Sequence, residues 1–209
     1  MKRNQWITSV AVPIGIVVLL AVLPLLAIPG FGILPGPTYT AGSLQVMALC
    51  LITAALALSY HLVFGVAGLL SFGHALYFGI GLYGLAILLR QTDLGLLPAA
   101  GIVLAVGIVV THILGAVSLR VSGISFAMVT LAFAQAGNVL VRRNPGRLTG
   151  GDEGLSLRTT NVPDWLVGVV HTQNLYWMSL VVLVVVFVIV AWLQHSRYGH
   201  AVAAVRENE

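Results

Sequence analysis

The most informative pattern along the chain is where charge is absent. No Asp, Glu, Lys or Arg occurs in residues 4–89, 94–119, 121–141 or 165–196. A helix rising about 1.5 Å per residue needs about 20 apolar residues to cross a hydrocarbon layer of about 30 Å. The last three gaps each hold one such helix and the first holds three. Pro29-Gly30, Pro35-Gly36 and Pro37 break the first helix from the second. Residues 41–89 are too long for one crossing, and the joint is expected near residues 60–68, where Gly65 and Gly68 lower helix propensity and Ser59, Tyr60 and His61 add polarity.

The pattern therefore predicts an all-α, polytopic transmembrane helix bundle of about six spans in a single domain, residues 1–209. The spans fall at about 6–28, 42–60, 66–89, 95–118, 123–141 and 175–193. The apolar stretch after Met1-Lys2-Arg3 is longer than the 7–15 residues of a signal-peptide core and lacks a following A-x-A-like site, so it reads as a retained first span. The Val-rich run Leu180–Val186 would suit a buried strand if it stood alone; within so long an apolar segment it reads as a lipid-facing helix.

Seven charges crowd between Arg142 and Asp164, which marks 142–174 as the extended segment that must lie in water. Six spans with the N-terminus inside put Lys2, Arg3, Arg120, Arg197 and Arg206 on one side and Arg90, Arg142, Arg143, Arg147 and Arg158 on the other. Five against five leaves the positive-inside rule silent.

Composition then narrows the chemistry. Of the 209 residues 59% are apolar and 8% charged, against about 25% charged in a soluble domain. The net charge of +4 is scattered among loops and the single lysine is Lys2, which does not suggest nucleic acid. A phosphate-binding loop of the G-x-x-x-x-G-K-[ST] type needs a lysine inside it, so the chain does not hydrolyse ATP by that route. Cys50 alone forms neither an internal disulfide nor a metal site. No carboxylate lies inside a span, and only His61, His74 and His112 could serve a proton relay there.

Small residues run in rows: Ser71, Ala75 and Gly79, and again Ala127, Thr130, Ala134 and Asn138. Such rows allow helices to approach closely in lipid. Two stretches carry more polarity than packing needs, Gly68–Gly79 and Ser122–Gln135. Gly73 beside Ser71 and His74 could break a helix at membrane depth, which is tolerated where the freed backbone lines protein or water. Half-helix ends there would offer partial charges to a zwitterionic solute. After the sixth span, Gly199 breaks the helix, and Ala201, Val202 and Val205 form the apolar edge of a short surface helix.

Four motifs in order carry a resemblance. They are Gly-Leu-Leu-Ser71-Phe-Gly73-His74-Ala-Leu-Tyr77-Phe-Gly79-Ile-Gly81, then Ser125-Phe-Ala-Met-Val-Thr130-Leu-Ala-Phe-Ala-Gln135, then Leu148-Thr-Gly-Gly-Asp-Glu-Gly-Leu155, and last Tyr198-Gly199 with Arg206-Glu207-Asn208-Glu209. Together they resemble the permease subunits of branched-chain amino-acid ABC importers, a family that also includes urea and amide permeases. The resemblance implies a multi-pass subunit of the bacterial inner membrane that moves branched-chain amino acids without chemistry or cofactor of its own. It implies a second homologous permease, two cytoplasmic ATP-binding subunits that hold ATP and Mg, and an external solute-binding protein as partners.

By the same resemblance, residues 195–209 form a cytoplasmic coupling segment on the ATPase, with Gly199, Ala203, Arg206 and Glu207 in that role. Both termini are then cytoplasmic and 142–174 is external. Ser71, Gly73, His74, Tyr77, Ser125, Thr130 and Gln135 are the expected lining of the passage. Family members usually run on past the coupling loop, so the chain is expected to be a C-terminally truncated piece. A urea or short-amide permease, a proton- or sodium-driven carrier and a purely structural bundle remain the alternative readings.

Overall fold

A computed structural model describes residues 13–26, 28–29, 34–157, 159–197 and 199. Among them every regular element is helical, and the fold is all-α. The elements are α1 (Pro13–Leu25), α2 (Ala41–His61), α3 (His74–Gln91), α4 (Leu96–Ser118), α5 (Gly123–Arg143) and α6 (Thr172–His195), with short 3-10 turns between α5 and α6. Four helical segments are long and apolar enough to cross a membrane: Ala41–Val66, Leu96–Ser118, Gly123–Arg143 and Val169–His195. These make the chain a multi-pass membrane protein. The α3 helix has 18 residues and carries Arg90 and Gln91 in its last turn. The start of the expected first span, residues 6–12, lies outside the described residues.

The helices group into two compact units. In the first, α2 and α6 share a core of Leu44, Met47, Leu51, Tyr176 and Leu180, and Leu20, Ala21 and Leu23 of α1 pack against it. Tyr176 is fully buried, and its hydroxyl donates to the Leu20 carbonyl at 2.5 Å. In lipid the free energy of apolar burial is small, so an interhelical hydrogen bond of this kind contributes to fixing one helix on another. The turn before α2 is closed by side chains: Ser43 donates to Gly36 O at 2.8 Å, and the Thr38 hydroxyl donates to Leu26 O.

In the second unit α3 packs on α4 and on α5. The joint between the second and third helices differs from the expected residues 60–68. The α2 helix continues past His61 as a wider turn, Leu62–Val66, with the i to i+5 bonding of a π-helix. Ala67 N–H donates to Leu62 O at 3.2 Å and Leu69 N–H to Val63 O at 3.1 Å. Only then does the chain leave helical geometry, and α3 begins at His74 rather than at residue 66. Ser71 and Gly73 therefore sit in the connection, and Ser71, Ala75 and Gly79 do not form one helical row. The physical reason is the loosened π turn, which absorbs Gly65 and carries the backbone forward to Gly68 at φ +72.

Between α5 and α6 the polar segment is tied down by α5 itself and by α3. Asn161 Nδ2 donates to Thr92 O at 3.0 Å and Leu89 O at 3.3 Å, binding the segment to the last turn of α3. At the end of α5, Asn144 adopts the left-handed conformation (φ 48) and ends the helix. Its Oδ1 accepts the N–H groups of Thr149 at 2.9 Å and Gly150 at 3.1 Å, while the Thr149 hydroxyl donates to Val141 O at 2.7 Å. Gly150 is required there on two counts. Its φ is +75, and a Cβ would stand 1.9 Å from Gly154 O.

Candidate functional site

The connection between α2 and α3 is the best built polar feature of the second unit. Phe72 N–H donates to Thr130 Oγ1 of α5 at 3.1 Å, and the Thr130 hydroxyl donates to Ala127 O at 2.9 Å. Thr130 is 2% exposed and Ser71 6%. Gly73 lies against Thr130 so closely that a Cβ would stand 2.9 Å from its carbonyl oxygen. Thr130 is seven residues into α5, about 10 Å from its first turn. The start of α3 thus lies at that depth along α5, with an irregular backbone leading to it. Such a backbone persists in a membrane only where protein or water satisfies it, and here the Thr130 hydroxyl does part of that.

Three of the expected passage residues, Ser71, Gly73 and Thr130, come together in this knot and are buried. His74 follows directly, and its ring meets Tyr60 edge-on at 5.4 Å, with Tyr60 in turn stacked on Phe64 at 5.9 Å. Tyr77 turns elsewhere. It lines a groove of about 440 Å³ between α3 and α4, together with Gly81, Val103, Gly107, Thr111 and His112. Ser125 and Gln135 are exposed on α5 and do not join the knot. The expected set is therefore one buried cluster, one groove residue and two exposed positions, rather than one lining.

The histidines are placed as follows. His112 Nδ1 lies 2.8 Å from Ile108 O, an atom that only accepts, so Nδ1 carries the proton. The His61 ring covers Gly65, where an added Cβ would meet it at 2.5 Å. Among the described residues no group of three or more His, Cys, Asp or Glu could hold a metal ion.

Sequence reasoning missed the partners that matter most to the knot. Phe72 enters through its backbone N–H, and Leu76 by packing where Gly137 leaves room, since a Cβ there would fall 2.3 Å from Leu76 Cδ1. Neither contact has a signature in residue type. In the proposed coupling segment, Gly199 N–H donates to Ser196 Oγ at 3.3 Å. Ala203, Arg206 and Glu207 lie outside the described residues.

The family model of the branched-chain amino acid transport system permease component matches residues 42–209. The chain is 30% identical to the high-affinity branched-chain amino acid transport system permease protein LivM of Salmonella typhimurium, over 80% of the chain and 44% of that protein. It is 28% identical to the protein of the same name from Escherichia coli K12, over the same shares. The chain thus spans less than half the length of the curated relatives it matches. No solved structure is significantly similar to it.

Proposed function

The chain belongs to the branched-chain amino acid transport system permease component family, and from that premise we propose that it is the membrane-spanning subunit of an ATP-driven importer of branched-chain amino acids. The observation that carries the reading is the family match over residues 42–209, which takes in every helix from α2 onward. The chemistry of the spans agrees with it. No carboxylate lies inside a span of the chain, so a proton route through these helices would rest on His61, His74 and His112 alone.

In this reading two ATP-binding subunits hold ATP and Mg in the cytoplasm, and an external binding protein delivers the solute. A second homologous permease completes the passage in the bacterial inner membrane. The chain supplies no covalent step. Its part is mechanical: a helix bundle with two arrangements, biased by nucleotide in its partners through residues 195–209. Gly199, Ala203, Arg206 and Glu207 make that contact. His74 and Tyr77 border the passage from α3, Ser125 and Gln135 from α5, and the knot of Ser71, Gly73 and Thr130 fixes α3 against α5.

The reading is tested by uptake. Deleting the chain from its host should abolish high-affinity uptake of labelled leucine, isoleucine and valine, and the gene in trans should restore it. Loss of urea or acetamide uptake with branched-chain uptake intact would move the substrate to the amide branch. Uptake that survives inactivation of the partner ATPase would replace the importer with a secondary carrier.

A further inference from the structure

The two sides of α5 are unlike. One side is taken up by neighbours: Phe126, Ala127 and Thr130 are buried, Thr130 meets the connection before α3, and Gly137 admits Leu76. A flank about a third of a turn round the helix carries Gln135, Asn138 and Arg142, spaced three and four residues apart and so on one face, with Asn138 at the edge of the covered side beside Ala127. All three are exposed.

Depth makes this face informative. Gln135 lies twelve residues from Gly123 and eight from Arg143, about 18 and 12 Å along the axis. That is the middle of a hydrocarbon layer of about 30 Å. Asn138 is one turn nearer the C-terminal end, and Arg142 stands at the end, its Nε 3.8 Å from Asp152 Oδ1. The Gln135 and Asn138 amides make no hydrogen bond among the described residues. An amide facing lipid tails leaves two donors and an acceptor without partners, which is strongly unfavourable. A face bearing two such amides in line with an arginine therefore meets water or a polar partner, and not lipid tails, when the protein is in its membrane.

We infer that the Gln135, Asn138 and Arg142 face of α5 is a wall of the solute passage, a polar track leading from the charged segment after α5 to the middle of the membrane. It takes a small zwitterion, since amides offer donors to a carboxylate and acceptors to an ammonium group, and Arg142 adds a fixed positive charge at the mouth. This rests on the importer reading above and goes beyond it: it extends the passage from Gln135 along one flank of α5 to Asn138 and Arg142, about a third of a turn from the face that holds the buried knot at Ser71, Gly73 and Thr130. Asn138 and Arg142 become passage residues, and Thr130 becomes a positioning residue.

The test is thiol accessibility in the intact importer in membranes of its host, with Cys50→Ala as background because Cys50 is exposed. Gln135→Cys and Asn138→Cys are treated with a charged, water-soluble methanethiosulfonate, with Val109→Cys on the exposed apolar surface of α4 as control. Reaction needs the thiolate, which forms in water and not in hydrocarbon, so both track positions should react at least about tenfold faster than the control. Saturating leucine should slow them severalfold. Co-purification of each variant with the partner ATPase from those membranes checks its assembly, and Asn138→Cys stands in if Gln135→Cys fails that check. Track thiols that react no faster than Val109→Cys overturn the inference and make this face a dry contact with another helix. If they react and a solute other than a branched-chain amino acid protects them, the track stands and the substrate reading falls. If branched-chain uptake persists with unreactive thiols, the substrate reading stands and the track falls.

Discussion

Gly73 and Thr130 meet so closely that a methyl group on Gly73 would stand 2.9 Å from the Thr130 carbonyl oxygen and 3.2 Å from its Cβ. The contact joins two segments 57 positions apart in the chain, and it fixes where along α5 the third helix begins.

Gly73→Ala should therefore destabilise the protein by about 1–3 kcal/mol, the usual range for overpacking against backbone that cannot yield. Gly79→Ala is the matched control, because nothing lies within 4 Å of the Cβ it would add. Thermal unfolding in detergent should show a lower midpoint for the first variant and none for the second. Equal midpoints would mean that the contact is not tight.

Thr130→Val keeps the shape of the side chain but removes the acceptor of the Phe72 N–H. A buried donor left unsatisfied costs about 1–3 kcal/mol. Hydrogen exchange at residues 67–76 should quicken in Thr130→Val and stay near the parent rate in Thr130→Ser, which retains the oxygen. Unchanged exchange in the valine variant would show that the hydroxyl does not hold this backbone.

Asn144→Ala loses the acceptor of Thr149 N–H and Gly150 N–H and places a β-carbon residue without a compensating side chain at φ 48. The loop after α5 should loosen by about 1–3 kcal/mol and become open to protease between residues 145 and 157. Asn144→Asp preserves the acceptor and should resist. Asp152→Asn should leave cleavage unchanged, because its ion pair with Arg142 is exposed and 3.8 Å long.

Tyr176→Phe removes one hydroxyl from the core of the first unit, where it reaches the Leu20 carbonyl. The loss should be about 1 kcal/mol. Exchange of the α1 amides should rise while those of α3 and α4 stay fixed, and a uniform change would contradict a local tie between α1 and α6.

The sequence made the helices legible and left the joints obscure. Gaps in charge locate α4, α5 and α6 to within a few residues because hydrocarbon excludes charge wherever a span lies. The segment Leu62–Gly73 has no such marker. It is apolar from end to end, and whether it continues α2, widens into a π turn or leaves the helix is decided by Gly65, Gly68 and the Thr130 hydroxyl 58 residues beyond Phe72. The same holds for the candidate site. Residue types pointed to Ser71, Gly73 and Thr130 together with Gln135, but which of these is buried and which exposed depends on the turn of α5 that meets α3. The family was legible from four motifs read together and in order, Ser71–Gly81, Ser125–Gln135, Leu148–Leu155 and Tyr198–Glu209, all of which lie within the matched residues 42–209.

In the importer proposed above, the chain is a conduit driven by ATP in its partners. The most direct measurement is accumulation of labelled leucine in right-side-out host membrane vesicles that contain the complete importer and binding protein. Leucine should accumulate with ATP inside, should not accumulate with a non-hydrolysable analogue, and should be indifferent to collapse of the proton and sodium gradients. Accumulation that follows those gradients and ignores internal ATP would contradict that reading.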